Sequence, residues 1–190
     1  CNNRRTPNLG CPERNPIVPL NSDETRLKNA IDDLVYWCRG GTLGNIGAVW
    51  GWRTLSDKKP FDQGSDYDNT KWRKVLVMMT DGNNQIWKKP GIDAVSDFSA
   101  YGRVPNDLGA TRGAALTEAE NRMRQVCTRM KNKGIIIYSI TFGVADTETQ
   151  NLYQDCAGNG GRYINTSSGP QLINAFNDIA SELSRLHISQ

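Results

Sequence analysis

Asp81 stands directly after Val75-Leu76-Val77-Met78-Met79, an apolar run of β-favouring residues that stops at Thr80-Asp81-Gly82. An apolar run without alternation suits a strand covered on both faces, as in a parallel sheet with helices above and below. In open sheets of parallel strands, ligands bind beyond the carboxyl ends of the strands. A carboxylate at that point is held at the crevice and suits an oxygen ligand for Mg²⁺ or a similar hard cation. The competing reading gives Asp81 no role beyond a turn with Gly82, and spacing alone does not separate the two.

Nucleophilic and phosphate chemistry find little support. His187 is the only histidine and lies near the end of the chain, far from every predicted strand end, so Ser/His and Cys/His mechanisms lack a base. Gly41, Gly44 and Gly47 recur every third residue and fit neither a Walker loop nor a dinucleotide fingerprint, and no G-x-S-x-G elbow occurs. A metal-dependent hydrolase built on Asp81 would need further carboxylates, and Asp66 and Asp68 could supply them only through loop folding. The sequence therefore reads as non-catalytic.

Five cysteines, Cys1, Cys11, Cys38, Cys127 and Cys156, occur without a C-x-x-C pair or the histidines of a zinc cluster. Disulfides in an oxidising compartment explain them better, which points to an extracytoplasmic location. The number is odd, so at least one thiol is free or pairs outside the chain. Cys127 and Cys156 fall on successive predicted helices that right-handed crossovers would place on one face of a sheet, and a disulfide between them is expected. The alternative is two buried thiols. Cys1–Cys11 is a second candidate bridge, and Cys38, on an apolar helix face, is expected as a buried free thiol.

The elements that must position these residues follow from periodicity. Residues 1–16 are a polar arm, and 17–190 form the domain. Ile17-Val18-Pro19-Leu20 reads as an edge strand because of its proline. Asn21 with Glu24 resembles a capping box, and Leu27, Ala30, Ile31, Leu34, Val35 and Cys38 make a helical apolar stripe closed by Gly40-Gly41. A second helix carries Ile46, Val49, Trp50 and Arg53, with Trp50 and Trp52 expected in packing rather than recognition. Residues 83–113 read as a polar loop without period, and its Trp87, Phe98 and Tyr101 offer a binding surface near Asp81 or simply tucked aromatics. Thr117 with Glu120 matches a second capping box, with an earlier helix start left open, and the stripe is Leu116, Ala119, Met123, Val126, Cys127 and Met130. Ile135–Ile140 is a second buried strand, Asp146 caps a short helix, Tyr163-Ile164 is a last strand, and Leu172 through Leu186 stripe a terminal helix. From residue 72 onward strands alternate with helices, which demands an open, doubly wound, mostly parallel α/β sheet with helices on both faces.

At these residues a resemblance becomes specific. Val-Leu-Val-Met-Met-Thr-Asp-Gly at 75–82 resembles the third motif of the metal-ion-dependent adhesion site of von Willebrand factor A domains, and Gly40-Gly41-Thr42 resembles the second. Within that family the chain is similar to the TadG-like proteins of the tight-adherence (Flp) pilus machinery. Pro19 to Asp23, Trp50-Gly51-Trp52-Arg53-Thr54-Leu55-Ser56 with Pro60-Phe61, the Cys127 helix leading to Gly134-Ile135, Cys156-Ala157, and Ala175-Phe176 through Leu186 carry the similarity. It implies a Rossmann-like fold and assigns Thr42 and Asp81 as metal ligands. It also implies a protein-interaction or adhesion role in pilus assembly, with a protein partner in the cell envelope.

Two departures qualify the resemblance. The first metal motif, Asp-x-Ser-x-Ser, is absent from these residues, and Asn83 stands where the family often carries an acid. Four predicted strands, around Ile17, Val75, Ile135 and Tyr163, also fall short of the family's six, so the domain is expected to lack its first strands. With only two ligands for an ion that demands near-octahedral geometry, Mg²⁺ or Mn²⁺ is expected in the full-length protein and not in this chain alone. The alternative function is a purely structural envelope subunit that binds no metal.

Composition weighs against nucleic acid and against a membrane span. The formal net charge is only +3, and its densest basic stretch, Arg122 to Lys133, suits the wet face of an amphipathic helix rather than a nucleic-acid stripe. No apolar run reaches the length of about 18 residues needed to span a bilayer, so any anchor would lie outside these residues.

Overall fold

The computed structural model describes residues 16–34, 41–86, 88–89, 92–96, 99–102, 108–109 and 111–188, with the backbone alone described at 88–89, 92–96 and 186–188. The chain divides into two compact units. The first takes residues 1–72 and 84–122, the second residues 73–83 and 123–190.

The second unit is an open α/β sheet. Three parallel strands, β1 (Val75–Thr80), β4 (Ile136–Phe142) and β5 (Tyr163–Thr166), lie in the order β1-β4-β5. Val75 pairs with Ile136 and Ser139 with Tyr163, so β4 is central. Its composition explains that place: Ile136, Ile137, Tyr138, Ser139 and Ile140 are all buried, as a strand covered on both faces requires.

Alternation divides β4 between two helical layers. Ile136, Tyr138 and Ile140 pack with Ile179 of α5 (Gly169–Ile188), joined by Val75, Ile164, Leu172 and Leu183. On the other face the Ser139 hydroxyl donates to the carbonyl of Tyr153, in α4 (Thr147–Cys156), at 2.6 Å. The end of α4 is tied to α3 (Arg112–Asn132) by a disulfide between Cys156 and Cys127, S–S 2.07 Å. Gly161 permits the close approach of the segment before β5, since a Cβ there would lie 2.1 Å from the carbonyl oxygen of Ile137.

The first unit holds α1 (Glu24–Asp32), α2 (Gly44–Thr54), a two-stranded antiparallel pair and the first part of α3. In that pair β2 (Lys88–Lys89) runs against β3 (Ile92–Ser96), with Lys89 opposite Ile92. Ile86, Leu108, Ala115 and Ala119 form its buried cluster, with Leu43, Tyr101 and Leu116 packed against it.

Several sequence expectations are corrected here. Residues 17–20 form no strand: Pro19 has no amide to give a ladder, and Ile17 and Leu20 are exposed. The N-cap of α1 is Asp23, whose carboxylate accepts from the Arg26 amide at 3.0 Å, while Asn21 turns instead to the Pro19 carbonyl and the Asp23 amide. That helix ends at Asp32, and its stripe residues Leu27, Ile31 and Leu34 are exposed rather than in a core. The interval 83–113 contains β2 and β3 as well as loop. At the start of α3, Thr111 serves in place of Thr117, its hydroxyl accepting from the Ala114 amide at 3.2 Å. The sheet of the second unit therefore has three strands where the sequence suggested four.

Candidate functional site

Asp81 follows β1 directly and is exposed. Its setting is made by Thr80, 6% exposed, whose hydroxyl donates to the Gly82 carbonyl at 2.7 Å and accepts from the Gly82 amide at 3.3 Å. The threonine, not the aspartate, therefore closes this turn, and the Asp81 carboxylate accepts no hydrogen bond among the described residues. Burial raises the phenol of nearby Tyr153 above its ordinary value, and the Thr80 side chain partly opposes that.

More hydroxyls gather at the same ends of the strands. Thr80 lies beside Thr141 in the ladder. The Thr141 hydroxyl meets the Tyr163 hydroxyl at 2.7 Å and donates to Asn165 Oδ1 at 2.9 Å, and Thr166 donates to the Thr141 carbonyl at 3.1 Å. These bonds are reciprocal and internal, so the cluster reads as structure that rigidifies the rim.

Thr42 belongs to the first unit. It makes a two-bond antiparallel bridge with Gln85, its amide donating at 2.8 Å and its carbonyl accepting at 2.7 Å. Asn84 Oδ1 accepts from the Gly44 amide at 2.9 Å, which occupies a donor at the start of α2 that the N-cap, Leu43, cannot satisfy with its side chain. The Thr42 side chain itself is exposed.

Tyr101, the described member of the aromatic trio, is half-buried on the Ile86 cluster. Asn45 Nδ2 donates to its hydroxyl at 3.0 Å, and the Arg122 guanidinium lies 4.5 Å from its ring centroid while Nε donates to Glu118 at 2.8 Å. The bond to Glu118 leads the contacts that hold the Arg122 pKa above its ordinary value, with Tyr101 adding to it. This tyrosine is engaged in packing. Trp87 and Phe98, and the cysteine pair Cys1 and Cys11 with Cys38, lie outside the described residues. Trp50 and Trp52 are half-buried, Trp50 edge-on to Phe61 at 6.0 Å and under the Arg53 guanidinium, Trp52 donating to the Tyr67 hydroxyl at 2.8 Å.

Sequence reasoning missed Asn45. It is 1% exposed, and among the described residues its Oδ1 has no hydrogen-bond partner. No feature of Gly44-Asn45-Ile46 signals a buried amide.

As a donor set, Thr42 and Asp81 have the right hard-oxygen chemistry for Mg²⁺ and the wrong number. Among the described residues no group of three His, Cys, Asp or Glu side chains converges. Thr42 and Asp81 alone leave most positions around such an ion to groups outside the described residues.

No helix among the described residues is long and apolar enough to cross a membrane. No protein-family model matches this chain, and no curated protein sequence does. Among solved structures, the chain is similar to the pilus adhesin SpaC from Lactobacillus rhamnosus GG, with a TM-score of 0.54 and 14% identity over 87% of this chain and 22% of that one. It is also similar to proximal thread matrix protein 1 from the mussel byssus, with a TM-score of 0.47 and 15% identity over 86% of this chain and 29% of that one. The chain spans less than a third of the length of either, and the likeness to SpaC is one of fold.

Proposed function

We propose that this chain is a non-catalytic protein-interaction module of an extracytoplasmic adhesion or pilus-assembly system. The observation that carries this reading is the likeness of fold to a pilus adhesin over 87% of the chain. The Cys127–Cys156 disulfide supports the compartment, because such bridges persist where the medium is oxidising. The von Willebrand factor A and TadG-like resemblance of the sequence motifs supplies the finer reading, a tight-adherence pilus protein with an envelope partner. In that reading Asp81 and Thr42 are two oxygen ligands for Mg²⁺ or Mn²⁺, and the remaining ligands come from outside these residues.

Calorimetric titration of Mn²⁺ or Mg²⁺ into the full-length polypeptide, beside its Asp81→Ala variant, tests the metal-dependent form. Binding heat that disappears in the variant supports an adhesion site. Equal heats from both, or none from either, discard it and leave a structural envelope subunit.

A further inference from the structure

Asn159-Gly160 is the one Asn-Gly pair in the chain. It forms the tip of a tight turn in the second unit. The Gly161 amide donates to the Gly158 carbonyl at 3.1 Å, and φ is positive at both central residues, 58° at Asn159 and 95° at Gly160. Positive φ at both positions marks a type I′ turn, for which Asn-Gly is a preferred pair. Gly158 and Ile137 exchange both backbone hydrogen bonds at 3.1 Å, which anchors the turn on β4.

Turn chemistry accounts for the two residue types, but not for the course of the side chain. Asn159 is exposed, yet its Nδ2 donates to the Lys131 carbonyl at 2.6 Å and to the Ile135 carbonyl at 3.0 Å, across the end of α3. Two further ties hold the same pair of segments together. The Cys127–Cys156 bridge joins α3 one turn before Lys131 to α4 three residues before Asn159, and Lys131 Nζ donates to the Asp155 carbonyl at 2.6 Å.

An asparagine followed by glycine is also the pair most open to deamidation, because glycine leaves its own nitrogen unhindered. The Gly160 nitrogen attacks Asn159 Cγ, the Cγ–Nδ2 bond breaks, and ammonia leaves with the Gly160 amide proton, giving a cyclic imide. Water then opens the ring to aspartate or to isoaspartate, whose main chain runs through the side-chain methylene. We propose that Asn159 is such a modification site and that the fold keeps it latent. Attack requires Nδ2 to leave both carbonyls and the turn to open, so the rate follows the population of the open form. The product then works against reclosure. An aspartate sets a carboxylate oxygen against the Lys131 and Ile135 carbonyls, acceptor against acceptor, at the negative end of the α3 dipole. An isoaspartate lengthens the main chain of a turn that has only two central residues. An opening of this corner is thereby recorded permanently in the chain.

Peptide mapping of the full-length polypeptide at mildly alkaline pH reads the mass gain of amide-to-acid conversion at Asn159. It compares the parent in buffer, the parent in urea, and a folded Cys127→Ser/Cys156→Ser variant. The parent in urea is expected to convert at least about tenfold faster than in buffer, with the serine variant between them. Asn159→Asp carries the side chain of one product and is expected to unfold at lower urea than Asn159→Gly, which keeps the positive φ without a carboxylate. Equal conversion in buffer and urea, or none in urea, overturns the proposal. So does an aspartate variant as stable as the glycine one. If the serine variant does not fold, the parent in buffer and in urea decides.

Discussion

Cys127 of α3 and Cys156 at the end of α4 have their Cα atoms 5.0 Å apart and close a loop with a sequence separation of 29. Both are buried, at 1% and 0% exposure. The bridge ties the helix before β4 to the helix after it, and its contribution lies chiefly in limiting the unfolded chain. Replacing both residues with serine is expected to lower unfolding free energy by about 3–4 kcal/mol, on the chain-entropy relation for a loop of this length. Urea denaturation of the variant, and of the parent with and without reductant, measures it. A loss below about 1 kcal/mol would show that the bridge adds little.

On the opposite face of the sheet, the Tyr138 hydroxyl donates to Glu182 Oε2 at 2.9 Å, and Arg162 reaches Glu182 Oε1 at 3.0 Å. Burial raises the Tyr138 pKa above its ordinary value, helped by the Glu182 carboxylate. Because the folded value is raised, the phenol's contribution is complete below the unfolded pKa of about 10 and is lost as pH rises through the folded value. Tyr138→Phe is expected to cost about 1 kcal/mol at neutral pH, since Glu182 keeps Arg162 and some solvent. The gap between parent and variant should narrow in strongly alkaline solution. A gap that stays constant over that range would remove the hydrogen bond from the account.

Much of the sheet was legible in the sequence. The apolar runs at Val75–Met79 and Ile135–Ile140 mark strands covered on both faces, and Asp146 before Thr147 marks a helix start by its chemistry. What escaped was partnership. The period of Leu27, Ile31 and Leu34 encodes an amphipathic face, but nothing in that period says whether another element covers it. Asn21 and Asp23 are both competent caps, and the choice fell to Asp23, because the Asn21 amide is engaged by Pro19 and the Asp23 amide. The β2–β3 pair did have a signal, Pro90-Gly91 between two short segments, which the surrounding polarity obscured. Asp81 was placed correctly after its strand, yet the hydroxyl of Thr80 closing the turn needs coordinates to be seen.

Asp146 gives the acid-side counterpart of Tyr138. Its carboxylate accepts from the Thr149 hydroxyl at 2.7 Å and the Thr149 amide at 2.8 Å. These two bonds, the hydroxyl's first, hold its pKa below the usual carboxylate range. A depressed folded pKa stabilises above the unfolded value of about 4 and ceases to do so as pH falls through the folded value. Asp146→Ala is therefore expected to cost about 1 kcal/mol at neutral pH. The difference should close in acid, as seen in urea midpoints measured across that range. An equal penalty at both ends would mean that packing, not the charged cap, explains the loss.

Two glycines around the start of α2 make opposite predictions. A Cβ on Gly41 would lie 1.8 Å from the Gln85 carbonyl oxygen, the backbone atom that accepts from Thr42. Relief requires parting the Thr42–Gln85 bridge, so Gly41→Ala is expected to destabilise by about 1–3 kcal/mol. Gly47, inside α2, has open space where its Cβ would go. There alanine only removes the backbone freedom of glycine, and Gly47→Ala is expected to stabilise by about 0.5–1 kcal/mol. Thermal unfolding of the two variants beside the parent gives the comparison. If Gly41→Ala proves as benign as Gly47→Ala, the bridge does not constrain Thr42.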